Sequence, residues 1–407
     1  MDFLTNPVDA IREWLLGLMA NMPAPWPDVI VNLLGVVVVA SFGLGLVIIL
    51  VWVERKVAAR FQDRFGPNRV GPYGLFQTVA DILKLFTKED TTPDNADKPV
   101  YNLAPILSLF SVLLIWAVIP FSKDWLGTDL NVGVLYIVAV GSLGALAVLM
   151  AGWSSNNKFA LLGAFRTVAQ LVSYEVPLVI SILIPVLLAR SMGVHAIVDA
   201  QDTFFGMFFF MAPIAAVIFF ISSIAEVGRT PFDLLEAESE IVAGFHIEYS
   251  GAKFAMIFAG EFLHAFTIAV LTATLFFGGW RGPGAEAYPI LGWVYFMAKS
   301  LGVYLIVSWI RSTLPRIRID HMLSFNWKYL TPLALATLIV TALLTKILEG
   351  QAVWYQSLVM FLSNVVLFLI ANEIVKWRES KKPGRQVVGQ PRPVARPPAE
   401  PAAEAEA

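Results

Sequence analysis

Nine stretches of the chain are almost uninterruptedly apolar, at about 29–53, 101–121, 132–152, 167–189, 204–225, 252–278, 290–310, 329–345 and 354–375. A hydrocarbon layer about 30 Å thick is crossed by roughly 20 helical residues, so each stretch predicts a membrane span. The runs are continuous, whereas barrel strands alternate with period two. The expected fold is all-α: a polytopic transmembrane helical protein of about nine spans, with amphipathic helices on the cytoplasmic surface. No helix-length repeat recurs, so the pattern lacks an inverted-repeat transporter signature. Ile11, Trp14, Leu15 and Leu18 lie at helical spacing and predict a short interfacial helix on the outer face. Asp2, Asp9, Glu13 and Asp28 outnumber Arg12 there, which argues against a signal peptide. Past Trp377 the apolar periodicity stops and the tail reads as disordered. The expected division is an outer segment (1–28), an eight-span domain (29–346), an additional span (347–376) and a tail (377–407).

Composition agrees with a bilayer as part of the solvent. Of 407 residues, 57% are hydrophobic and 15% charged, against about 45–50% and 25% in soluble domains. The absence of cysteine excludes Cys-ligated iron–sulfur clusters, Cys-rich zinc sites, thiol catalysis and disulfides. The four histidines are scattered without ligand spacing, so no metal site is expected. A net charge of −2 gives the chain no footprint for nucleic acid. A GxGxxA string at 282–287 lies between two spans rather than between strand and helix, and carries no cofactor reading. No P-loop is present, which argues against ATP-driven transport. Lys and Arg divide 23 against five between alternate connections, with Lys299 inside the seventh span. The richer side is expected to be cytoplasmic, placing the amino terminus outside and the carboxyl terminus inside.

The unusual chemistry gathers on that side. The segment from Glu54 to Gly74 holds four Arg, one Lys and two Gly-Pro turns, and is followed from Pro72 by a predicted amphipathic helix. Leu75, Val79, Ile82, Leu83 and Phe86 share one face of it, and Gln77, Asp81 and Lys84 another. It reads either as a helix lying flat on the membrane surface or as a lid that turns Asp81 inward. A second segment carries six carboxylates, at 226, 233, 236, 238, 240 and 248, with only Arg229 and Lys253 as cations. On a helix begun near Pro231, Asp233, Glu236 and Glu240 would share a face. Crowded carboxylates titrate as a coupled set that can take up a proton; the same pattern would serve as a docking surface for a basic partner. Glu175, Glu261, His264 and Lys299 lie within spans, where an ionisable group is costly and a functional role is the default. Arg166 sits near enough to a span end to snorkel.

Glu54-Arg-Lys-Val, Arg64-Phe-Gly-Pro-Asn-Arg-Val-Gly-Pro-Tyr-Gly-Leu-Phe-Gln and Ala80-Asp-Ile-Leu-Lys-Leu-Phe-Thr-Lys-Glu resemble the family of the quinone-site membrane subunit of respiratory complex I, the bacterial NADH–quinone oxidoreductase. So do the strings 163–175, 225–240 and 311–320, in the same order along the chain. The resemblance implies a subunit of proton-pumping NADH:quinone oxidoreductase in the bacterial plasma membrane. Such a subunit docks the peripheral redox arm, encloses a quinone chamber and relays quinone reduction to proton translocation. It binds no redox cofactor itself; quinone is its substrate, and NADH, FMN and the iron–sulfur clusters belong to partner subunits. Neighbouring small membrane subunits and lipid complete its partners. By resemblance, Arg55, Arg64, Asp81, Arg229, Phe232 and Phe258 line or abut the chamber. Arg166, Glu175, Glu226, Asp233, Glu236, Glu238, Glu240, Glu248 and Glu261 form the start of the proton route, and no residue is assigned a metal. The ninth span departs from the eight usual in the family, as does His321, where relatives often have glutamine. Two other readings compete: the homologous anchor of a membrane-bound hydrogenase-type complex, and a stand-alone ion transporter.

Overall fold

The computed structural model describes residues 7–19, 22–235 and 238–380 of the 407. In chain order the helices are α1 (Pro7–Leu18), α2 (Trp26–Phe61), α3 (Phe76–Thr87), α4 (Lys98–Ile115) and α5 (Gly133–Ser154). Then come α6 (Lys158–Ala189), α7 (Val194–Asp199), α8 (Phe208–Met211), α9 (Pro213–Val227) and α10 (Glu238–Ile241). The last five are α11 (Gly251–Phe276), α12 (Pro289–Thr313), α13 (Ile319–Phe325), α14 (Thr331–Ile347) and α15 (Val353–Ser380). Among the described residues there is no strand. Among the described residues eight helical segments are long and apolar enough to cross a bilayer, and α9 is a shorter ninth. A π-helical turn at Asn326–Leu330 joins α13 to α14, so the two form one of the eight. The predicted interfacial helix is α1, with Ile11, Trp14 and Leu18 exposed. Glu236 and the tail from 381 lie outside the described residues.

Two differences from the expected spans matter. The first span does not end at Val53: α2 continues as helix to Phe61, because Glu-Arg-Lys-Val-Ala-Ala-Arg is mostly good helix-forming sequence. The first part of the cationic segment is therefore helix, continuous with the span. The fifth span, expected at 204–225, is broken. Pro213 has no N–H to donate and its ring opposes a continuous helix; Ala212 takes φ −137°, and only the 15 residues of α9 follow. At about 1.5 Å per residue they reach about 22 Å, short of a full crossing.

A break at membrane depth leaves backbone carbonyls without helical partners, and these must be satisfied by other groups. Two residues of α15 supply donors beside it. Ser357 Oγ donates to the Phe205 carbonyl at 2.5 Å, and Asn364 Nδ2 to the Met211 carbonyl at 3.3 Å. Ser357, Met360 and Asn364 share a helical face and are buried, while Leu358, Phe361, Leu362 and Val365 are exposed. The chain divides into two compact units, 1–365 and 366–407. These contacts belong to the first unit; the described part of the second is helical to Ser380.

Within the first unit α11 is the central helix, packed against α2, α4, α9 and α12. Trp116 donates from Nε1 to Thr267 Oγ1 at 2.7 Å, and its ring packs against Phe266. Lys299, an ionisable group inside a span, extends to the end of α11. Its ammonium donates to the carbonyls of Phe277, Gly279 and Arg281 at 2.8, 3.0 and 2.7 Å. Phe277 is the C-cap of α11, where a cation is favourable, and Gly279 and Arg281 belong to the turn that follows, so Lys299 fastens that turn to the helix end.

The connections meet at two ends. At one, Ser122 donates to the Pro289 carbonyl, Arg190 pairs with Glu349, and Arg281 pairs with Asp199. At the other, Asp97 donates to the Ser154 carbonyl, Thr91 bonds Ser250, and Ile317 donates to the Pro231 carbonyl. The second end carries the cationic and acidic segments.

Candidate functional site

One face of α2 presents Val51, Glu54, Arg55, Ala58, Phe61 and Gln62, spaced at i, i+3, i+4, i+7, i+10 and i+11. These residues form a helical stripe, and with Arg64, Pro67, Phe258, Phe262, Arg311 and Ser312 they line a cavity of about 630 Å³. Its walls are largely apolar, whereas three guanidinium groups and Glu54 converge on it. That combination fits a small molecule with a greasy body and a polar head.

Gly74 fixes how the next segment returns to this cavity. It takes φ +78°, and a Cβ there would lie 2.2 Å from the Pro67 carbonyl oxygen, so the turn requires glycine. The helix expected from Pro72 is therefore a single tight turn, and α3 proper starts at Phe76. Asp81 on α3 turns inward, with Oδ2 2.6 Å from Arg55 Nη1 and Oδ1 accepting from Gln77 at 3.3 Å. Leu83 and Phe86 on the other face are exposed.

Behind the cavity lies a buried ion cluster. Arg229 is only 4% exposed and sits 3.4 Å from both Glu54 Oε1 and Glu261 Oε1, with its guanidinium 4.5 Å from the Phe262 ring centroid. Glu54 also pairs with Arg311 and accepts from Tyr304 Oη at 3.2 Å. Burial of a charge is tolerated only with such partners. Gly228 sets up the position of Arg229: it ends α9 in the left-handed conformation at φ +72°, where a Cβ would strike Leu235.

Glu261 opens onto an internal cavity of about 80 Å³, lined also by Glu175, Glu226, His264 and Ser111. A second cavity of about 30 Å³ shares Ile115, Gly141, Glu175, Glu226 and His264 with the first, and continues among Ile137, Ile182, Phe219, Ile268 and Leu271. Since a water needs roughly 10–15 Å³ of such space, the pair can hold a short file of waters. Glu175, Glu226 and Glu261 thus converge, although α6, α9 and α11 carry them.

The acidic segment differs from the expected single helix. Residues 229–235 form turns, and the next helix among the described residues is α10. Gln170 donates from Nε2 to the carbonyls of Ala225 and Phe232 at 2.6 and 2.8 Å, diverting the Phe232 carbonyl from a helical bond. Asp233, in the turns, and Glu240, on α10, consequently do not lie on one continuous helical face. Glu226 points into the internal cavities, and Asp233 lies in the bend after Phe232. Glu240 accepts from Arg166 Nη2 at 2.5 Å and lies 3.6 Å from Arg316. Glu248 accepts from Asn157 at 2.6 Å. Glu238 begins α10, and Glu236 is outside the described residues. The Arg166 hydrogen bond, with Arg166, Arg316 and Arg318 as nearby charges, holds Glu240 below the usual carboxylate range. Burial pushes His246 down to about 4, so it is neutral at pH 7.

Of the residues assigned to the chamber by resemblance, Arg55, Arg64 and Phe258 line the large cavity. Asp81 reaches it through Arg55, and Arg229 lies one layer behind through Glu54. Phe232 is not among the lining residues; it is buried against Tyr174, ring centroids 5.4 Å apart. Sequence reasoning left out Glu54, Phe262, Arg311 and Gln170. Glu54 and Arg311 each sit where an apolar run meets the first charges, which is the signal available for them. Gln170 is a neutral residue in a span with no such mark.

A family model described as NADH dehydrogenase matches residues 34–342. The NADH-quinone oxidoreductase H subunit of Dehalococcoides mccartyi (strain CBDB1) is 48% identical over 306 residues, covering 75% of this chain and 84% of that protein. The corresponding protein of Geobacillus sp. (strain WCH70) is 46% identical over 319 residues, covering 76% and 95%. That of Bacillus thuringiensis (strain Al Hakam) is 43% identical over 335 residues, covering 82% and 99%. The chain belongs to the family of NADH-quinone oxidoreductase H subunits. The stretch matched to the family model contains every cavity-lining and ion-cluster residue described above, and it stops before α15.

Proposed function

We propose that this chain encloses a quinone-binding chamber and passes the consequence of quinone reduction to a proton route inside the membrane. As a member of its family it is a multi-pass membrane subunit of an NADH-quinone oxidoreductase. In this reading its charged end faces the cytoplasm and docks the peripheral arm, whose iron–sulfur centre delivers electrons to the quinone head. The amino terminus is outside, the carboxyl terminus inside, and the membrane is the bacterial plasma membrane. Neighbouring membrane subunits and lipid cover the remaining exposed apolar surface.

The observation that carries the reading is the unbroken sequence of contacts from one cavity to the others. Glu54 and Arg311 line the large cavity; Glu54 pairs with Arg229, Arg229 with Glu261, and Glu261 lines the first internal cavity with Glu226 and Glu175. Negative charge or proton demand at a quinone head beside Arg55 and Arg64 alters the field on Glu54. In a region of low dielectric that change is strongly felt by Arg229 and Glu261. The acidic segment, fastened by Glu240 to Arg166 and Arg316, holds the geometry from outside.

Photolabelling of the intact complex with an azido-quinone tests the chamber. Crosslinks are expected on the α2 stripe and at Phe258 or Phe262, competed by excess quinone. Labelling confined to the opposite end of the bundle overturns the assignment. A single cysteine placed at Ala407 of this cysteine-free chain tests the topology: it should react with an impermeant maleimide only after right-side-out vesicles are opened.

A further inference from the structure

His264 stands at the junction of the two internal cavities and has no part in the ion cluster around Arg229. It lines both cavities, as do Glu175 and Glu226, and its Nε2 is 3.9 Å from Glu226 Oε1. It lies one helical turn from Glu261 on α11, at i, i+3, so the two side chains share a face. The larger cavity reaches Glu261 and Gly228, towards the chamber; the smaller runs on among Ile137, Ile182, Phe219, Ile268 and Leu271, where no ionisable group lines it beyond the three shared ones. A proton moving between the cavities passes the place where these three side chains meet.

We propose that His264 is a proton-carrying residue at this junction, exchanging protons with Glu226 and passing them on to the water-sized space beside Glu175. This rests on the proton-route reading above. In the step, the O–H bond of a protonated Glu226 breaks and an N–H bond forms at Nε2, leaving a carboxylate and an imidazolium. The imidazolium then loses one ring proton to water in the cavity, and Glu175 can accept it. Imidazole suits the position because either nitrogen can hold the proton, so the ring can take it up on one side and release it on the other. The present 3.9 Å is beyond a direct hydrogen bond, and one bridging water or a small rotation of either side chain closes it. The charged groups facing the ring are Glu226 from α9, Glu175 from α6 and Glu261 from α11 itself, with Arg229 behind Glu261.

The test uses the whole complex in proteoliposomes, comparing protons translocated per NADH oxidised in the parent, His264→Gln and His264→Ala. NADH–ferricyanide turnover of the same membranes measures how much assembled arm is present. Both substitutions are expected to lower the proton yield by about tenfold or more. Added imidazole should restore a large part of it in His264→Ala but not in His264→Gln, where the space stays filled. A parent-like proton yield in His264→Gln overturns the proposal, as does a loss in His264→Ala that imidazole leaves untouched. Glu226→Gln and Glu175→Gln run in parallel separate the two levels. If they lose pumping while His264→Gln keeps it, only the role of His264 falls; if all three pump normally, the proton route falls with it.

Discussion

Asp81 Oδ2 lies 2.6 Å from Arg55 Nη1, tying the surface helix α3 to the end of the first span at the wall of the large cavity. The pair is partly exposed, so its contribution to stability is small, about 1 kcal/mol or less. Its effect is on where the Arg55 guanidinium points. Asp81→Asn should leave assembly intact and lower quinone turnover by about tenfold, the equivalent of one charge-assisted hydrogen bond. Steady-state kinetics with a short-chain quinone reads this. Parent-like kinetics would remove Asp81 from the chamber.

Arg229 is expected to be the residue of this site least tolerant of truncation. Arg229→Ala leaves Glu54 and Glu261 without their shared cation in a buried setting, a cost of roughly 3–5 kcal/mol. Little assembled complex, or a clearly lowered melting temperature, should appear on native gels and in thermal scans. Arg229→Lys keeps the charge while losing the flat stacking on Phe262, and should fall between. An Arg229→Ala complex that melts like the parent would contradict the cluster.

Glu240 joins three segments, through Arg166 on α6 and Arg316 beyond α12. Glu240→Gln removes the charge but keeps the shape. Proton translocation per NADH is expected to drop by about fivefold or more, of the order of one lost charged hydrogen bond, with ferricyanide reduction by the arm unaffected. Equal proton yields in the two proteins would reduce Glu240 to an ornament of the surface.

His246 gives the acidic segment an acid limit. Its folded value, about 4, is below the ordinary 6.5, because burial against Phe245 and Phe254 disfavours the charged ring. In the window between these values the unfolded segment binds more protons than the folded one. The stabilisation is therefore complete above about pH 6.5 and is lost progressively down to about pH 4, to a total of roughly 3 kcal/mol. Limited proteolysis of the segment across this range should show increasing cleavage on acidification, and His246→Phe should flatten the curve. An unchanged curve in His246→Phe would assign the acid limit to other groups.

Asn364 and Ser357 make a prediction about the additional span. Asn364→Leu removes the donor to the Met211 carbonyl at the break before α9, and should cost about 1–2 kcal/mol. Leu358→Ala, on the outward face, should stay within about 0.5 kcal/mol. Melting temperatures of the purified complex compare the two. An indifferent Asn364→Leu would mean that the Met211 carbonyl does not depend on this amide, leaving Ser357 as the donor from α15 at the break.

The residues that were easy to read in the sequence share one property: their cost or gain depends on the chain's immediate solvent. Val29 to Val53 had to cross a bilayer whatever it packed against, and Glu175 and Glu261 were conspicuous because hydrocarbon penalises them wherever they point. Gln170, Ser357 and Asn364 were not conspicuous, since a neutral amide or hydroxyl in an apolar run is common. Their importance comes from carbonyls on α9 and around its break, distant in sequence. The helix expected at Pro231 failed for a related reason: Gly228, Arg229 and Gln170 together determine the path of that segment, and only the last of them contacts it from another span.

The order of charged and apolar segments, read alone, determined an all-helical membrane protein of about nine crossings with its ionisable side chains concentrated towards one end, and its long motifs pointed to the family. Hydropathy acts locally, so a linear pattern carries it. Which carboxylate meets which guanidinium was decided only in the folded chain. Glu54, Arg229 and Glu261 come from three separate stretches, and Coulomb energy in a low-dielectric interior depends on their final separations rather than their positions in the sequence. The same holds for His264, whose place between two cavities exists only once α6, α9 and α11 have packed.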